Sequence, residues 1–490
     1  MPPYLAREAR TLLAEAHRQT GDYGASAKER VQLELLLTQP LEINENRKAL
    51  WESLRALPKA ELAGMRRPPP DTFGGWTELA LLRERFMGDP AGLDEALAKW
   101  SADYPGHPAN IEVVSDVRAE VQTFSKPASH IALLLPLSGQ FAEAASAIRD
   151  GFLASWFASN PSEERPDIRV YDTQTEDAAI LHAQAVSAGA DFVVGPLLKD
   201  AVESVRSTDP KVPTLALNVA PSTDITMEPG ALYQFGLAPE GEAQQVAERA
   251  WSDGHKQVIM LAPQSPWGDR VSEAFRARWE ALGGDVSHLA SYGSDPNALA
   301  TTVRTALNID DSERRAKRLG RTLGRKVEHE PRRRRDVDVI FLAGFPRQAR
   351  QLRPQIDFFR ASNVPVYATS HVYSGKPDPN ADGDINGIVF GDMPWVLEVG
   401  EPRNANEALR ERMFTLWPDA RGSFTRFYAF GADAQQLVGQ LGRLRARPDE
   451  HLSGYTGVLS VAPDQSIRRT LQWAIFDDGI PKPYTASDDR

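Results

Sequence analysis

The hydrophobic rhythm of the chain changes once, near His130, and that change decides most of what it can fold into. Before it, apolar residues recur at spacings of three and four; after it, short unbroken apolar runs alternate with amphipathic stretches. Leu5, Ala9, Leu12, Leu13 and Ala16 share one face of a helix. Gly21-Asp22 breaks that pattern, and a second helix is expected over about 25–37. Another pair follows Asn44, with Ala49, Leu50, Trp51 and Leu54 apolar, until Arg67-Pro68-Pro69-Pro70 forbids continuation. A third pair spans about 76–86 and 92–100 and closes at Tyr104-Pro105-Gly106-His107-Pro108. Helix pairs in series predict a tetratricopeptide-like α-solenoid over residues 1–126, with an irregular helical bundle as the alternative because the pairs are uneven.

From His130 the run Ile131-Ala-Leu-Leu-Leu135 shows no polar alternation, as a strand buried on both faces requires. A helix through Phe141, Ala145, Ile148 and Phe152 follows. The same strand–turn–helix unit recurs with strands at about 168–171, 192–194, 214–217, 258–261, 339–342 and 364–367. Strands alternating with helices across Gly/Pro turns predict an α/β architecture with parallel sheets. Some 360 residues exceed one sheet, so two lobes are expected, dividing near residues 239–241.

Composition narrows function by exclusion. A formal charge of −11 argues against a generic nucleic-acid binder, which needs surplus Lys and Arg to displace counterions. The absence of Cys removes disulfides, thiolate zinc sites, iron–sulfur clusters and cysteine nucleophiles. No stretch approaches the ~20 apolar residues that cross a bilayer, and the first residues lack a signal-peptide pattern. Either a cytosolic protein or a chain lacking its leader is expected on that ground. No His pair stands at the spacing of a zinc hydrolase, no Gly-x-Ser-x-Gly elbow occurs, and Gly320-Arg-Thr-Leu-Gly324 is one residue short for a phosphate loop. Asp378-Pro-Asn-Ala-Asp-Gly383 imitates half a calcium loop, but Val389 stands where a bidentate Glu is needed, so a plain loop is expected. No catalytic residue, metal site or cofactor is expected.

Several runs together resemble one family. They are Ile131-Ala-Leu-Leu-Leu-Pro-Leu-Ser-Gly-Gln-Phe-Ala142, Ile148-Arg-Asp-Gly-Phe152, Val194-Gly-Pro-Leu197 and Tyr233-Gln-Phe-Gly-Leu-Ala-Pro-Glu240. Asp338-Val-Ile-Phe-Leu342 with Arg347-Gln-Ala-Arg-Gln-Leu352, Tyr428-Ala-Phe-Gly-Ala-Asp433, Gly454-Tyr-Thr-Gly-Val-Leu459 and Leu471-Gln-Trp-Ala-Ile475 continue the series. In order and spacing they are similar to the LpoA family, outer-membrane lipoproteins that activate a class A penicillin-binding protein in peptidoglycan synthesis. Asn46-Arg-Lys-Ala-Leu-Trp51 matches that family's helical domain.

The resemblance implies a type I periplasmic-binding-protein fold over 127–490, in which the chain crosses between lobes three times. Lobe one is expected at about 129–238 and 393–463, lobe two at about 239–392 and 464–490. It also implies a non-enzymatic activator of transpeptidation. The implied location is the periplasm, tethered to the inner leaflet of the outer membrane by a lipidated cysteine absent from this sequence. The expected partner is the peptidoglycan synthase, with peptidoglycan itself as a further candidate. The rival is a small-molecule-binding component of an ABC-type transport system. Leu197-Leu198 stands where amino-acid receptors of this fold place small hydroxyl residues, and Thr369-Ser-His-Val-Tyr373 where they carry an acid, which counts against amino-acid capture.

A cleft is sketched by Ser138, Gly139, Gln140, Gly195, Ser222, Ser265, Trp267, Gly268, Asp269 and Ser370. Backbone N–H groups at the Ser138 turn could face an anion, and Trp267 could stack on a sugar or apolar group. Equally, Ser138 and Asp269 read as helix caps and Trp267 as local packing. Residues 310–335 carry eleven Lys or Arg against five Asp or Glu. Arg314, Arg315, Lys317, Arg318, Arg321, Arg325, Arg332, Arg333, Arg334 and Arg335 read either as a partner-docking surface or as a solvated insertion.

Overall fold

Proline and aspartate set where the N-terminal helices begin. A computed structural model describes residues 3–86, 89–110, 112–125, 128–159, 165–220, 231–293, 295–325, 327–397, 405–446 and 448–485. Helices run over Pro3–Gln19, Tyr23–Glu34, Pro40–Arg55, Lys59–Gly64, Thr72–Arg85, Pro90–Asp103 and Val113–Ser125. Pro40 and Pro90 occupy first-turn positions, where a missing N–H costs nothing. The third helix therefore starts before Asn44. The carboxylates of Asp22, Asp71 and Asp89 cap three helices by accepting from Ala25, Gly74 and Gly92 N–H. One core holds Leu50, Leu54, Trp76, Leu79, Leu97, Trp100 and Val117. Within it the His107 ring lies edge-on to Trp76 and Trp100, centroids 5.2 and 5.0 Å apart. The Trp100 indole N–H donates to Gly75 O at 2.9 Å, so the buried ring leaves no polar atom orphaned.

The first sheet contains β1 (His130–Leu135), β2 (Asp167–Asp172), β3 (Phe192–Val194), β4 (Thr214–Ala216) and β5 (Leu232–Gln234) in the order β2-β1-β3-β4-β5, all parallel. The larger sheet contains β6 (Gln257–Pro263), β7 (Asp285–Tyr292), β8 (Val339–Leu342), β9 (Val366–Ala368) and β10 (Ile388–Asp392). A small antiparallel sheet follows, β11 (Leu452–Ser453), β12 (Val458–Val461) and β13 (Ile467–Thr470). The chain then returns to the larger sheet as β14 (Gln472–Asp477) and β15 (Ile480–Pro483), giving the order β15-β14-β10-β9-β8-β6-β7. These last two strands are antiparallel, so this sheet is mixed rather than purely parallel. They are joined by Asp478-Gly479, both at positive φ, the residue pair a two-residue hairpin turn demands.

The last crossing between lobes differs from the expected 463–464. Val461 pairs with Ile467, and Leu459, Val461 and Ile467 pack in the same core as Ile131, Phe192 and Tyr233. Asp464-Gln465 is a turn within lobe one, with Gln465 at φ 61°, and lobe two resumes only at Gln472.

Two lobe-one helices, Ala142–Ser159 and Thr425–Leu437, cross at their glycines. A Cβ on Gly151 would stand 2.0 Å from Tyr428 O, and one on Gly431 1.9 Å from Ile148 O. From this pair Ile148, Phe152, Phe430 and Leu437 face the lobe-one core. Ala147, Ala154, Ala429 and Ala432 face the other way. They begin an apolar cluster that continues through Met413, Trp395 and Tyr373 to Phe390 and Ile340 of the larger sheet. The lobes thus share buried surface.

Candidate functional site

In parallel α/β sheets the loops after the strands form the binding edge. Ser138, Gly139 and Gln140 follow β1 and are exposed. An internal carboxylate already stands beside that turn. Leu137 N–H and Gln174 N–H donate to Asp172 Oδ1 at 2.9 and 3.0 Å, with Ser138 beside the same carboxylate. Although burial works to raise it, these donors hold Asp172 below its usual pKa. Asp172 thus takes up the Leu137 N–H at the entrance to this turn. Gly195, after β3, is buried at φ 104°, and a Cβ would meet Leu134 O at 2.1 Å, so close backbone packing explains the glycine. Ser222 lies outside the described residues.

At the lobe-two edge Ser265 caps the helix Pro266–Ala281, accepting from Gly268 N–H at 3.1 Å. Gly268 sits over Pro263 O, where a Cβ would come within 2.1 Å. Asp269 is exposed in that helix's first turn. The Trp267 ring rests on Phe345 and His371, centroids 4.7 and 5.1 Å away. Ser370 is buried, its hydroxyl donating to Glu242 Oε2 at 2.7 Å. Burial holds His371 below its ordinary pKa. The structure therefore groups Ser265, Trp267, Gly268, Asp269 and Ser370 at one edge, with Ser370 consumed by an internal bond. Asp378, the start of the calcium-like run, caps the short helix Pro379–Asp382, and Asp382 pairs with Arg350 at 2.8 Å.

Between the two edges lie charged residues that composition alone did not single out. Arg426, on the Thr425–Leu437 helix of lobe one, grips Asp392 at the end of β10 in lobe two with bonds of 3.0 and 2.5 Å. The Asp392 side chain is 0% exposed. Arg426 also donates to Tyr373 O at 3.2 Å. Glu242, on the lobe-two helix Pro239–Ser252, meets Arg469 of β13 at 3.1 Å. Gln245 on that helix donates to Arg469 O and accepts from Leu471 N–H, at 2.8 and 3.0 Å. Nearby, Asp433 is fully buried and accepts from Tyr455 N–H, Thr456 N–H and the Thr456 hydroxyl; burial pushes its carboxyl up to about 6. All three crossings, near residues 239, 393 and 471, are thus pinned by a buried charge pair or a paired amide. In a receptor that closes on a ligand, such hinge positions absorb backbone rotation. Here rotation would strip partners from buried charges, which is costly.

The basic segment divides in two. Arg314, Arg315, Lys317, Arg318 and Arg321 are exposed on the helix Ile309–Leu323, with Arg325 just beyond it. Arg332–Arg335 instead belong to the return toward β8. There Arg333 donates to Arg360 O and Asn363 Oδ1, and Arg334 to Asp336 and Ser287 O, while Arg332 and Arg335 are exposed. The four-arginine run is therefore partly structural.

The chain is 29% identical over 475 residues to the penicillin-binding protein activator LpoA of Photobacterium profundum, covering 96% of this chain and 76% of that one. Full-length LpoA from Haemophilus influenzae superposes with a TM-score of 0.60 at 24% identity, covering 99% of this chain and 82% of that chain. The C-domain of LpoA from the same organism, described as a regulator of PBP1A, matches with a TM-score of 0.57 at 26% identity, covering 73% and 100%. The architecture is a helical tetratricopeptide-like domain followed by a two-lobed α/β periplasmic-binding-protein fold. Residues 3–479 match the family described as LppC putative lipoprotein, and the chain belongs to that family.

Proposed function

We propose that this protein binds a class A penicillin-binding protein and stimulates its peptide cross-linking, acting as a non-enzymatic regulator from the outer-membrane side of the cell wall. The observation that carries this reading is the extent of the likeness to penicillin-binding protein activator LpoA, which takes in the helical domain as well as the α/β domain. The pinned hinges support it, because a docking platform needs a fixed surface whereas a solute receptor needs lobes that close. A lipoprotein family and the absence, among the described residues, of any helix long and apolar enough to cross a membrane are compatible with a lipid tether. Activation requires tighter binding to the synthase state competent for cross-linking than to its resting state.

The test is titration of the purified chain into the class A penicillin-binding protein of the same organism while cross-linking of lipid II is followed. Saturable stimulation is expected. Absence of both binding and stimulation would sink the reading. The transporter-component alternative, which rests on the fold alone, predicts thermal stabilisation by a small ligand instead.

A further inference from the structure

The helix Ile309–Leu323 stands out from lobe two with both of its faces unusual. On a helical wheel Arg314, Lys317, Arg318 and Arg321 fall on one side, while Ile309, Ser312, Ala316, Leu319 and Leu323 fall opposite. Ile309 and Ser312 are buried and anchor the base. Ser312 Oγ accepts from Arg332 N–H at 3.0 Å and contacts His329 Nε2 at 3.2 Å, so the returning chain braces this end. Farther out the apolar side loses its cover: Leu319 and Leu323 are 50% and 51% exposed. Asp310 and Glu313 are spent on Arg304, and Asp311 on Arg314. Arg315, Lys317, Arg318 and Arg321 meet no carboxylate among the described residues. An open trough of about 440 Å³ lies between Arg314, Arg315, Lys317, Arg318, Arg321 and Asp311.

We propose that this helix is a docking element covered by a carboxylate-rich, leucine-accepting segment of a protein partner. Charge distribution selects that occupant. Residues 310–335 carry a net +6 on a chain of net −11, so the rest of the molecule carries −17. An extended polyanion or a flat anionic membrane would meet that acidic body as well as the helix. A discrete acidic patch meets the helix alone, because a helix ~10–12 Å across holds it beyond the ~8 Å screening length at physiological salt. Four of the five exposed cations on the helix are Arg, whose planar forks match carboxylates in pairs. Leu319 and Leu323 offer an apolar contact that aliphatic side chains of a protein cover more fully than a hydroxyl-rich glycan does, and two leucines are too few to seat a helix in a bilayer.

The inference rests on the activator reading only in taking the synthase as probe. Binding of the full chain to the organism's class A penicillin-binding protein is measured at low and physiological salt. The wild type is compared with a five-site variant (R314Q, R315Q, K317Q, R318Q, R321Q) and with L319S/L323S. Circular dichroism is expected to be unchanged, since the positions are exposed and Gln keeps helix propensity. The five-site variant is expected to bind about tenfold more weakly or worse, with a flatter salt dependence, and the leucine variant to lose affinity at both salt levels. Equal binding by wild type and variants, with the wild type still stimulating, overturns the docking element and leaves the activator reading standing. A wild type that neither binds nor stimulates removes both. Retention on purified peptidoglycan or anionic phosphatidylglycerol vesicles as tight as on the synthase, and lost in the five-site variant, overturns the choice of a protein occupant.

Discussion

Arg426 is 21% exposed at its side chain, yet its partner Asp392 is not exposed at all, and this asymmetry fixes what a substitution does. Removing the guanidinium leaves a carboxylate at the hinge with no compensating cation, a loss of about 3–5 kcal/mol for pairs of this kind. Removing both charges together spares most of that penalty. Arg426→Ala is therefore expected to lower stability by about 3 kcal/mol or more in urea denaturation, and the double variant D392N/R426M to recover at least half of it. A loss below about 1 kcal/mol for Arg426→Ala would mean the pair behaves like an exposed surface bridge and does not pin the crossing.

At the scale of elements, the helix pair Ala142–Ser159 and Thr425–Leu437 depends on close backbone approach. Gly431→Ala gains helix propensity of about 1 kcal/mol, but its Cβ needs the space held by a backbone carbonyl, and the helices must separate. Overpacking of this kind costs about 1–3 kcal/mol or more, so the clash wins. The variant is expected to melt several degrees lower, whereas Gly241→Ala, with nothing within 4 Å of its Cβ, is expected to melt at or slightly above the wild type. Reversal of that order would contradict the close-packing account. The elements most legible in the sequence were those buried on both faces: the apolar runs of β1, β3, β6 and β8 needed no tertiary context. β7 was not legible, because it is an edge strand whose Ser287, His288 and Ser291 break the run. The Asp478-Gly479 hairpin carried its signal in a dipeptide, but the antiparallel return of β14 that precedes it depends on β10 being free to pair. For the candidate cleft, sequence located both strand edges. It gave no hint that Asp172 and Glu242 accept bonds there from Leu137 and Ser370, since a partnered carboxylate and a free one look alike in a single chain.

For the whole molecule the decisive contact lies between the helical domain and lobe one. Arg83, 4% exposed, pairs with Glu84 at 2.6 Å and with Glu120, while Arg445 from lobe one reaches Glu84 at 3.4 Å with only 8% of its side chain exposed. Arg445→Glu places a third carboxylate in that cluster and is expected to cost about 1–3 kcal/mol, between an exposed and a fully buried pair. The wild type is expected to unfold its helical domain and lobe one in one calorimetric transition and the variant in two. Two transitions already in the wild type would show that the domains are not energetically joined.

The pinned crossings have a consequence for multivalent binding. The helical domain is keyed to lobe one and the basic helix rises from lobe two, so the distance between these platforms is set by the hinges. A partner that meets both makes its second contact within one molecule, at an effective concentration governed by how narrowly that distance is distributed. A rigid seam narrows the distribution and concentrates avidity on partners of matching span. Loosening it, as Arg426→Ala does, would spread the same two contacts over many geometries and weaken the sum without touching either surface.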